Sequence, residues 1–267
     1  LFSAKNLSVD FTTDEGVIRA VDDISFSLES GKTLGIVGES GSGKSVAMRS
    51  LMSLHPQNAI VGKQTKLLLK RKSGDTTDIA QLKTKDQDLY NIRGGEISMV
   101  FQEPTASFSP IYTIGKQISQ AIRLHEDVEK KEARKRVVAM LDRVGITEPD
   151  TRFDQYSFEL SGGMRQRAMI ATALVTRPSI LIADEPTTSL DVTIQAQVLK
   201  LMRDLQKEFG MGIIFISHDL GVISQVSDEI CVMYLGKIVE QGITKNIITN
   251  PQHPYTKALL AALPRLD

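Results

Sequence analysis

Apolar and polar residues alternate along the first part of the chain. The alternating apolar residues are Leu7, Val9 and Phe11 and, after a turn-prone stretch at 12–16, Ile24, Phe26 and Leu28. A period of two is typical of strands that bury one face. The pattern therefore predicts an antiparallel β region at the start of the chain.

Further along, short apolar runs alternate with stretches of helical periodicity. The runs predicted as strands are 33–37, 97–101, 180–183, 212–217 and 230–234, and the stretches predicted as helices are 44–54, 161–177 and 192–209. Strands that alternate with helices form a mostly parallel sheet with both faces covered. The predicted fold class is therefore α/β.

Two segments depart from this alternation. Residues 62–95 are polar and weakly periodic, and they are predicted as strands and loops at the edge of the β region. Residues 114–145 are helical in pattern, with the apolar positions Val137, Met140, Leu141 and Val144 behind a charged face. This middle block predicts an inserted helical subdomain.

Composition narrows the classes of function. Lys and Arg together number 32, and so do Asp and Glu, so no overall field draws the chain to nucleic acid or to an anionic membrane. The single cysteine, Cys231, excludes a disulfide framework within the chain and predicts a small buried side chain. No apolar run approaches the roughly 18 residues of a spanning helix. If the protein serves a membrane, other chains must span it.

A glycine-rich loop lies between the predicted strand 33–37 and the helix that follows. It reads Gly38-Glu39-Ser40-Gly41-Ser42-Gly43-Lys44-Ser45 and continues into Val46. Such a loop turns its backbone N–H groups toward phosphate oxygens at a helix N-terminus. Lys44 is predicted to reach the β- and γ-phosphates and Ser45 to bind Mg²⁺. A chance match occurs in roughly one chain of this length in a hundred, so the loop predicts nucleotide binding.

The strand at 180–183 ends in two acids, Asp184 and Glu185. Asp184 is predicted to position Mg²⁺ and Glu185 to polarise the attacking water. A strand that ends in an acid is common at sheet edges. These two acids therefore indicate a catalytic role only together with the glycine-rich loop at 38–45, the P-loop.

A second glycine turn, Ser161-Gly162-Gly163, begins the helix predicted at 161–177. It lies within the run Leu160 to Gln166. A plain helix cap by Ser161 accounts for an isolated turn of this kind, but not for its occurrence together with the P-loop and the acids. The run resembles the signature motif of ABC ATPases. The resemblance implies a P-loop NTPase of the ABC type with an antiparallel β subdomain and an inserted α-helical subdomain, and a pair of subunits in which this turn caps the partner's ATP.

The same resemblance assigns the remaining site residues. Gln102 matches the glutamine that senses Mg²⁺ and the γ-phosphate, Ser189-Leu190-Asp191 matches the D-loop, and His218 matches the switch histidine. The family also stacks an aromatic side chain on adenine, for which Phe11 is the candidate. The implied catalytic residues are Lys44, Gln102, Glu185 and His218; Ser45, Gln102 and Asp184 are the Mg²⁺ ligands.

The exact sequences of these motifs, with the tail that follows them, resemble the ATPases of dipeptide, oligopeptide and nickel importers. The most discriminating piece is the tail Asn250-Pro251-Gln252-His253-Pro254-Tyr255-Thr256. At 156–158 the chain reads Tyr-Ser-Phe where the family usually has Tyr-Pro-His, a departure expected to affect loop packing. The resemblance implies a core at 1–103 and 160–245, a helical subdomain at 104–159 and an importer-type tail at 246–267.

The partners and place in the cell follow from the same resemblance. They are a second nucleotide-binding subunit, identical or more often a paralogue, transmembrane permeases contacted through 103–112 and, indirectly, a substrate-binding protein. The expected place is the cytoplasmic face of the inner membrane, and no nucleic acid partner is expected. Di- or oligopeptides are the expected cargo, with nickel or oligosaccharides as alternatives. A soluble ABC ATPase acting on DNA or ribosomes and a non-hydrolysing ATP-dependent module are the competing functions.

Overall fold

The computed structural model describes residues 1–103, 107–188 and 190–262. The chain divides into two compact units, one of Leu1–Tyr90 with the chain from Gly210 onward and one of Asn91–Phe209. The three-part division expected from the resemblance stays a prediction.

The strands are β1 (Phe2–Thr13), β2 (Gly16–Leu28), β3 (Thr33–Val37), β4 (Ala59–Val61), β5 (Lys66–Lys70), β6 (Thr76–Asp78), β7 (Ile97–Val100), β8 (Ile180–Asp184), β9 (Gly212–Ser217), β10 (Glu229–Tyr234) and β11 (Lys237–Ile243). The α-helices are α1 (Lys44–Ser50), α2 (Gln87–Ile92), α3 (Ile114–Arg123), α4 (Lys130–Arg143), α5 (Pro149–Phe153), α6 (Gly162–Leu174), α7 (Val192–Phe209), α8 (Leu220–Val226), α9 (Thr244–Thr249) and α10 (Pro254–Ala261). Short 3-10 helices lie at Ile79–Gln81 and Ser157–Glu159.

The antiparallel sheet of the first unit has the order β2-β1-β5-β6, with β4 paired to β1. Leu7 and Val9 on β1 are buried, as are the predicted apolar residues of β2. Phe11 is only half-buried, and it lies close to the exposed turn end of the β1–β2 hairpin. The predicted antiparallel region is confirmed.

A parallel sheet lies in the same unit, where β10 and β9 flank β3 and both run parallel to it. Every residue of β3 and β9 is buried, as expected for parallel strands covered on both faces. The strand β11 was not predicted; it pairs antiparallel with β10. Cys231 is fully buried in β10, and burial raises the pKa of its thiol, so it is a packing residue.

The second unit pairs β7 with β8 in parallel and surrounds them with helices. Apolar faces of α3 and α4 are buried, including Ile118, Ile122 and Val137. The guanidinium of Arg134 lies over the ring of Phe153, 4.1 Å from its centroid, and stacks the charged face of α4 against α5.

Several predicted bounds were wrong. The helix that begins at Lys44 ends at Ser50 rather than before His55, because 51–53 continue as turns and Ser53 has a φ of 51° that reverses the chain. The stretch predicted to be helical, 114–145, contains α3 and α4, and the extended backbone of Glu129 separates them. The helix predicted at 161–177 ends at Leu174. The polar segment 62–95 contains the unpredicted helix α2.

Across the described residues, every helix is too short or too polar to span a membrane.

Candidate active site

The P-loop joins β3 to α1, as predicted. The strand is buried to Val37, the loop follows, and α1 begins at Lys44. Lys44 is buried, and its Nζ donates hydrogen bonds to the carbonyl oxygens of Gly38 at 2.6 Å and Glu39 at 2.7 Å. The ammonium group is therefore held over the start of the loop, and the N–H groups at the N-terminus of α1 lie at its other end.

Two glycines of the loop are required for different reasons. Gly43 has a φ of 97°, and a Cβ there would lie 2.4 Å from the carbonyl oxygen of Ala20. Gly41 has a φ of 81°, but a Cβ there would have no neighbour within 4 Å. Gly43 is thus fixed by the chain's own backbone, whereas Gly41 borders open space that a phosphate can approach.

His218 lies at the same sheet edge as the P-loop. It follows Ser217 at the end of β9, and Ser217 is in register with Val37 at the end of β3. The His218 side chain is exposed, and Asp219 next to it caps α8 by accepting from Gly221 N and Val222 N. Ligands of α/β proteins bind outside the carboxyl ends of parallel strands, which is where both features lie.

In the second unit the two acids follow β8. Asp184 ends the strand and is 2% exposed. Glu185 has a φ of 48°, a left-handed conformation that costs a non-glycine residue free energy and occurs mainly at functional sites. Its Oε2 accepts hydrogen bonds from Gln102 Nε2 at 3.1 Å and Thr188 Oγ1 at 3.0 Å.

The contact between Gln102 and Glu185 follows from the parallel register. Val100 pairs with Ala183, so the residues two positions further along leave β7 and β8 at the same edge. The structure therefore brings two of the predicted catalytic side chains together. Thr188 was not predicted; its place three residues after Glu185 in a turn was the only signal.

The signature turn opens α6. The hydroxyl of Ser161 accepts from Met164 N at 3.3 Å and so caps the helix. A Cβ at Gly162 would have no neighbour within 4 Å, and one at Gly163 would lie 3.7 Å from Ile194, at ordinary contact distance. Internal packing does not require glycine at either position. The buried Gln166 donates from Nε2 to the Pro186 carbonyl and ties α6 to the turn after Glu185.

The remaining predicted residues have simple placements. Asp191 caps α7 by accepting from Ile194 N at 2.9 Å, and Ser189 lies outside the described residues. Ser45 and Val46 are half-buried in the first turn of α1. Phe11 pairs with Ile18 near the turn that joins β1 to β2. The ligand roles of these residues stay predictions.

The stretch 156–158 packs differently from a plain loop. The rings of Tyr156 and Phe158 are stacked, with centroids 5.5 Å apart and planes 8° from parallel. Phe158 is 65% exposed and Tyr156 37% exposed.

One further contact at the P-loop was not predicted: the hydroxyl of Tyr255 accepts a hydrogen bond from Glu39 N at 3.0 Å.

Comparison with known families decides what kind of protein carries this site. The family described as ABC transporter matches residues 21–188, more than half of the chain. The chain belongs to the ABC transporter family. The family described as the C-terminal region of oligopeptide/dipeptide transporters matches residues 239–267. The resemblance on which the sequence analysis relied is confirmed.

Individual relatives agree with this placement in the ABC transporter family. The chain is 49% identical over 266 residues to the glutathione import ATP-binding protein GsiA of Shigella flexneri. The match covers 100% of this chain and 42% of the relative, so the chain spans less than half the length of the curated relatives that it matches.

Solved structures of similar fold confirm the predicted fold class. The dimeric ATP-binding cassette MJ0796 in a post-hydrolysis state bound to ADP and Pi has a TM-score of 0.79 at 24% identity, and the match covers 91% of this chain and 99% of that chain. The cbiO1 protein of Clostridium perfringens, part of a cbiONQ transporter complex, has a TM-score of 0.70 at 27% identity, with 92% and 91% covered.

Proposed function

We propose that the chain is the ATP-binding and ATP-hydrolysing part of an ABC importer that energises solute uptake through separate membrane permeases. The observation that carries the proposal is the placement of the Glu185 carboxylate. Glu185 follows the end of a buried strand on a strained backbone, and its carboxylate is held by Gln102 and Thr188. A carboxylate aimed in this way suits the activation of a water for attack on a γ-phosphate.

The P-loop supplies the binding half of the proposed reaction. The phosphates of ATP bind to backbone N–H groups of residues 38–46 at the N-terminus of α1, and the Lys44 ammonium contacts the β- and γ-phosphates. Because the charge spread over the γ-phosphate grows in the transition state, fixed N–H groups and the ammonium lower the barrier. His218, at the same sheet edge, supports the in-line attack.

Mg²⁺ is the proposed cofactor. Ser45, Gln102 and Asp184 offer a hydroxyl, an amide and a carboxylate oxygen, which are the hard oxygen ligands that this ion takes. When bound, the ion neutralises charge between the β- and γ-phosphates. The role of Asp184 is then to hold a fixed negative charge at the end of β8.

The signature turn supports pairing with a second nucleotide-binding subunit. Gly162 and Gly163 are not required by packing within the chain, and a Ser-Gly-Gly turn at a helix N-terminus is suited to a phosphate. We propose that Ser161 and Gly163 close over the ATP of the partner, with Asp191 nearby. The paired MJ0796 cassettes support this arrangement, and the partner is a second copy or a paralogue.

The proposed cargo is a di- or oligopeptide. The match of residues 239–267 to the C-terminal region of peptide transporters supports it, as does the similarity to a glutathione import protein. The permeases are proposed to contact 103–112, of which 104–106 lie outside the described residues. In the rest of this segment Ile111 is 72% and Tyr112 53% exposed. The chain would then lie on the cytoplasmic face of the inner membrane.

The test is Glu185→Gln in the purified protein. The amide keeps the size of the side chain but cannot take a proton from water, so ATP turnover should fall roughly 10²–10⁴-fold. ATP binding should persist, and with ATP the variant should elute from a sizing column as a stable pair. Turnover and binding are measured side by side with Glu132→Gln, the same change at an exposed position of α4. Normal turnover in Glu185→Gln would remove Glu185 from the catalytic role.

A further inference from the structure

The C-terminal segment 250–256 reaches the nucleotide loop of its own unit. Tyr255, on the first turn of α10, accepts a hydrogen bond from the backbone N–H of Glu39, the second residue of the P-loop. In the sequence this segment is only a marker of the importer family. The contact indicates a physical task for it.

Four contacts hold Tyr255 and the residues just before it in place. Glu240 on β11 accepts from Gln252 N at 2.7 Å and from His253 N at 3.0 Å, which anchors the chain just before α10. The Nδ1 of His253 then accepts from Tyr255 N at 3.2 Å and caps the helix. The Tyr255 ring packs on that of Tyr234, with centroids 4.4 Å apart. The side chain that carries the hydroxyl is thus fixed by hydrogen bonds and by ring packing.

Both backbone polar groups of Glu39 are held by hydrogen bonds. Its N–H donates to Tyr255, and its carbonyl oxygen accepts from Lys44 Nζ at 2.7 Å and from Ser42 N at 3.2 Å. Fixing Glu39 therefore fixes the carbonyl on which the phosphate-binding lysine rests. Burial raises the pKa of Tyr255, so the hydroxyl stays a neutral acceptor at physiological pH.

The other side of the loop rests on the β10–β11 turn. Gly236 N donates to Ser42 O at 3.0 Å, and a Cβ on Gly38 would lie 2.2 Å from the Met233 carbonyl oxygen. The β10–β11 hairpin contributes Gly236, Tyr234 and Glu240 to the same assembly. The first turn of the loop thus lies between this hairpin and the Tyr255 hydroxyl.

We propose that Tyr255 is a positioning residue of the P-loop, and that the His-Pro-Tyr segment holds the loop in its nucleotide-accepting conformation. The proposal rests on the proposed nucleotide binding by this loop. A loop that is ordered before the ligand arrives loses less conformational entropy on binding, so the contact raises affinity. Tyr255 acts through Glu39 and touches no reacting atom.

The first test is Tyr255→Phe, which removes the acceptor oxygen and keeps the ring. The dissociation constant of ATP with Mg²⁺, measured by isothermal titration calorimetry, should rise roughly two- to tenfold, the range that one hydrogen bond supplies. The turnover number at saturating ATP should stay unchanged, and the melting temperature should change little. Tyr90→Phe, the same change on an exposed tyrosine of α2, should match the parent protein in all three measurements.

The second test asks whether the anchor acts through Tyr255. Glu240→Ala frees the segment before α10 and should also weaken ATP binding. If its effect runs through Tyr255, the double variant Glu240→Ala/Tyr255→Phe should bind ATP no more weakly than Glu240→Ala alone. Restoring an acceptor with Glu240→Gln should recover part of the affinity. Additive losses in the double variant would contradict the relay from Glu240.

The outcomes separate the two proposals. If the parent protein fails to bind ATP, the proposed function fails. If the parent binds ATP and Tyr255→Phe binds it equally well, the positioning role is overturned while the function stands. A Tyr255→Phe variant with a lower melting temperature and unchanged affinity would likewise overturn it, because the contact would then be structural only.

Discussion

The backbone of Glu185 stores free energy at one point of the chain. A left-handed non-glycine residue costs on the order of 1–3 kcal/mol and persists only where its surroundings hold it. Here Thr188 and Gln102 both bind the same carboxylate oxygen. The strain turns the side chain back toward the end of β7 instead of letting it continue the strand direction.

The two P-loop glycines lead to a prediction about stability. Gly43→Ala places a methyl group 2.4 Å from the Ala20 carbonyl oxygen and also strains φ. The clash should cost about 1–3 kcal/mol beyond the strain. The matched control is Gly74→Ala, a turn glycine with a φ of 96° and open surroundings, which should show the strain alone.

Urea unfolding of both variants measures the difference. Gly43→Ala should also lose ATP binding, whereas Gly74→Ala should keep it. Equal destabilisation of the two variants would show that the loop can move away from Ala20. The close approach of Gly43 to Ala20 would then not require glycine at this position.

At the scale of single elements, α6 allows its two roles to be separated. Ser161→Ala removes the N-cap and should cost about 1 kcal/mol, while Ser161→Gly should cost only a few tenths. If the hydroxyl also contacts a partner's nucleotide, both variants should lose ATP turnover to a similar extent. Thermal melting and ATPase assays on the pair test this, and retained turnover in Ser161→Gly would limit Ser161 to capping.

Elements with a strong pattern could be predicted from sequence. The helix at 192–209 and the strands at 33–37 and 212–217 matched residue for residue. The helix is long and has one dominant period, and the two strands are short, continuous apolar runs. The short α8, α9 and α10 have no such period and are fixed by caps and tertiary packing. The strand β11 alternates weakly and forms only because β10 offers it an edge.

The site divides in the same way. Sequence patterns predicted the P-loop and the acids after β8, and the resemblance to ABC ATPases predicted the signature turn and His218. Each of them lies at the end of a strand or at the start of a helix. The hydrogen bond from Thr188 to Glu185 depends on the direction of both side chains, for which their spacing of three residues is a weak signal. The contact of Tyr255 with Glu39 joins residues far apart in the sequence, and no local pattern encodes it.

At the scale of the whole molecule, acid should weaken the fold. Partial burial opposes ionisation of Glu240, but the nearby Thr256 hydroxyl, the N–H groups of Gln252 and His253 and the charge of His253 together outweigh this and lower its pKa. Hydrogen bonding and charge from Arg19 and Lys237 lower the pKa values of Asp10 and Asp22. A lowered pKa in the folded state stabilises the fold above the unfolded value and ceases to do so as pH falls through the folded one.

The melting temperature should therefore fall as pH drops below about 4.5. Glu240→Gln should flatten this fall, because one of the linked carboxylates is then gone. Glu132→Gln controls for the loss of one charge at an exposed position. A steeper fall in Glu240→Gln than in the parent protein would contradict the linkage.

The burial of Cys231 has a practical consequence for testing these proposals. It is the single cysteine of the chain, and its thiol lies inside β10 with a raised pKa. Thiol-reactive dyes need an accessible thiolate, so the native protein should remain unlabelled. A cysteine placed at Leu124, which is 72% exposed, would then carry one dye per chain. A rise in the fluorescence anisotropy of that dye on addition of ATP would report the slower tumbling of a subunit pair in real time, without any cysteine-free background having to be engineered.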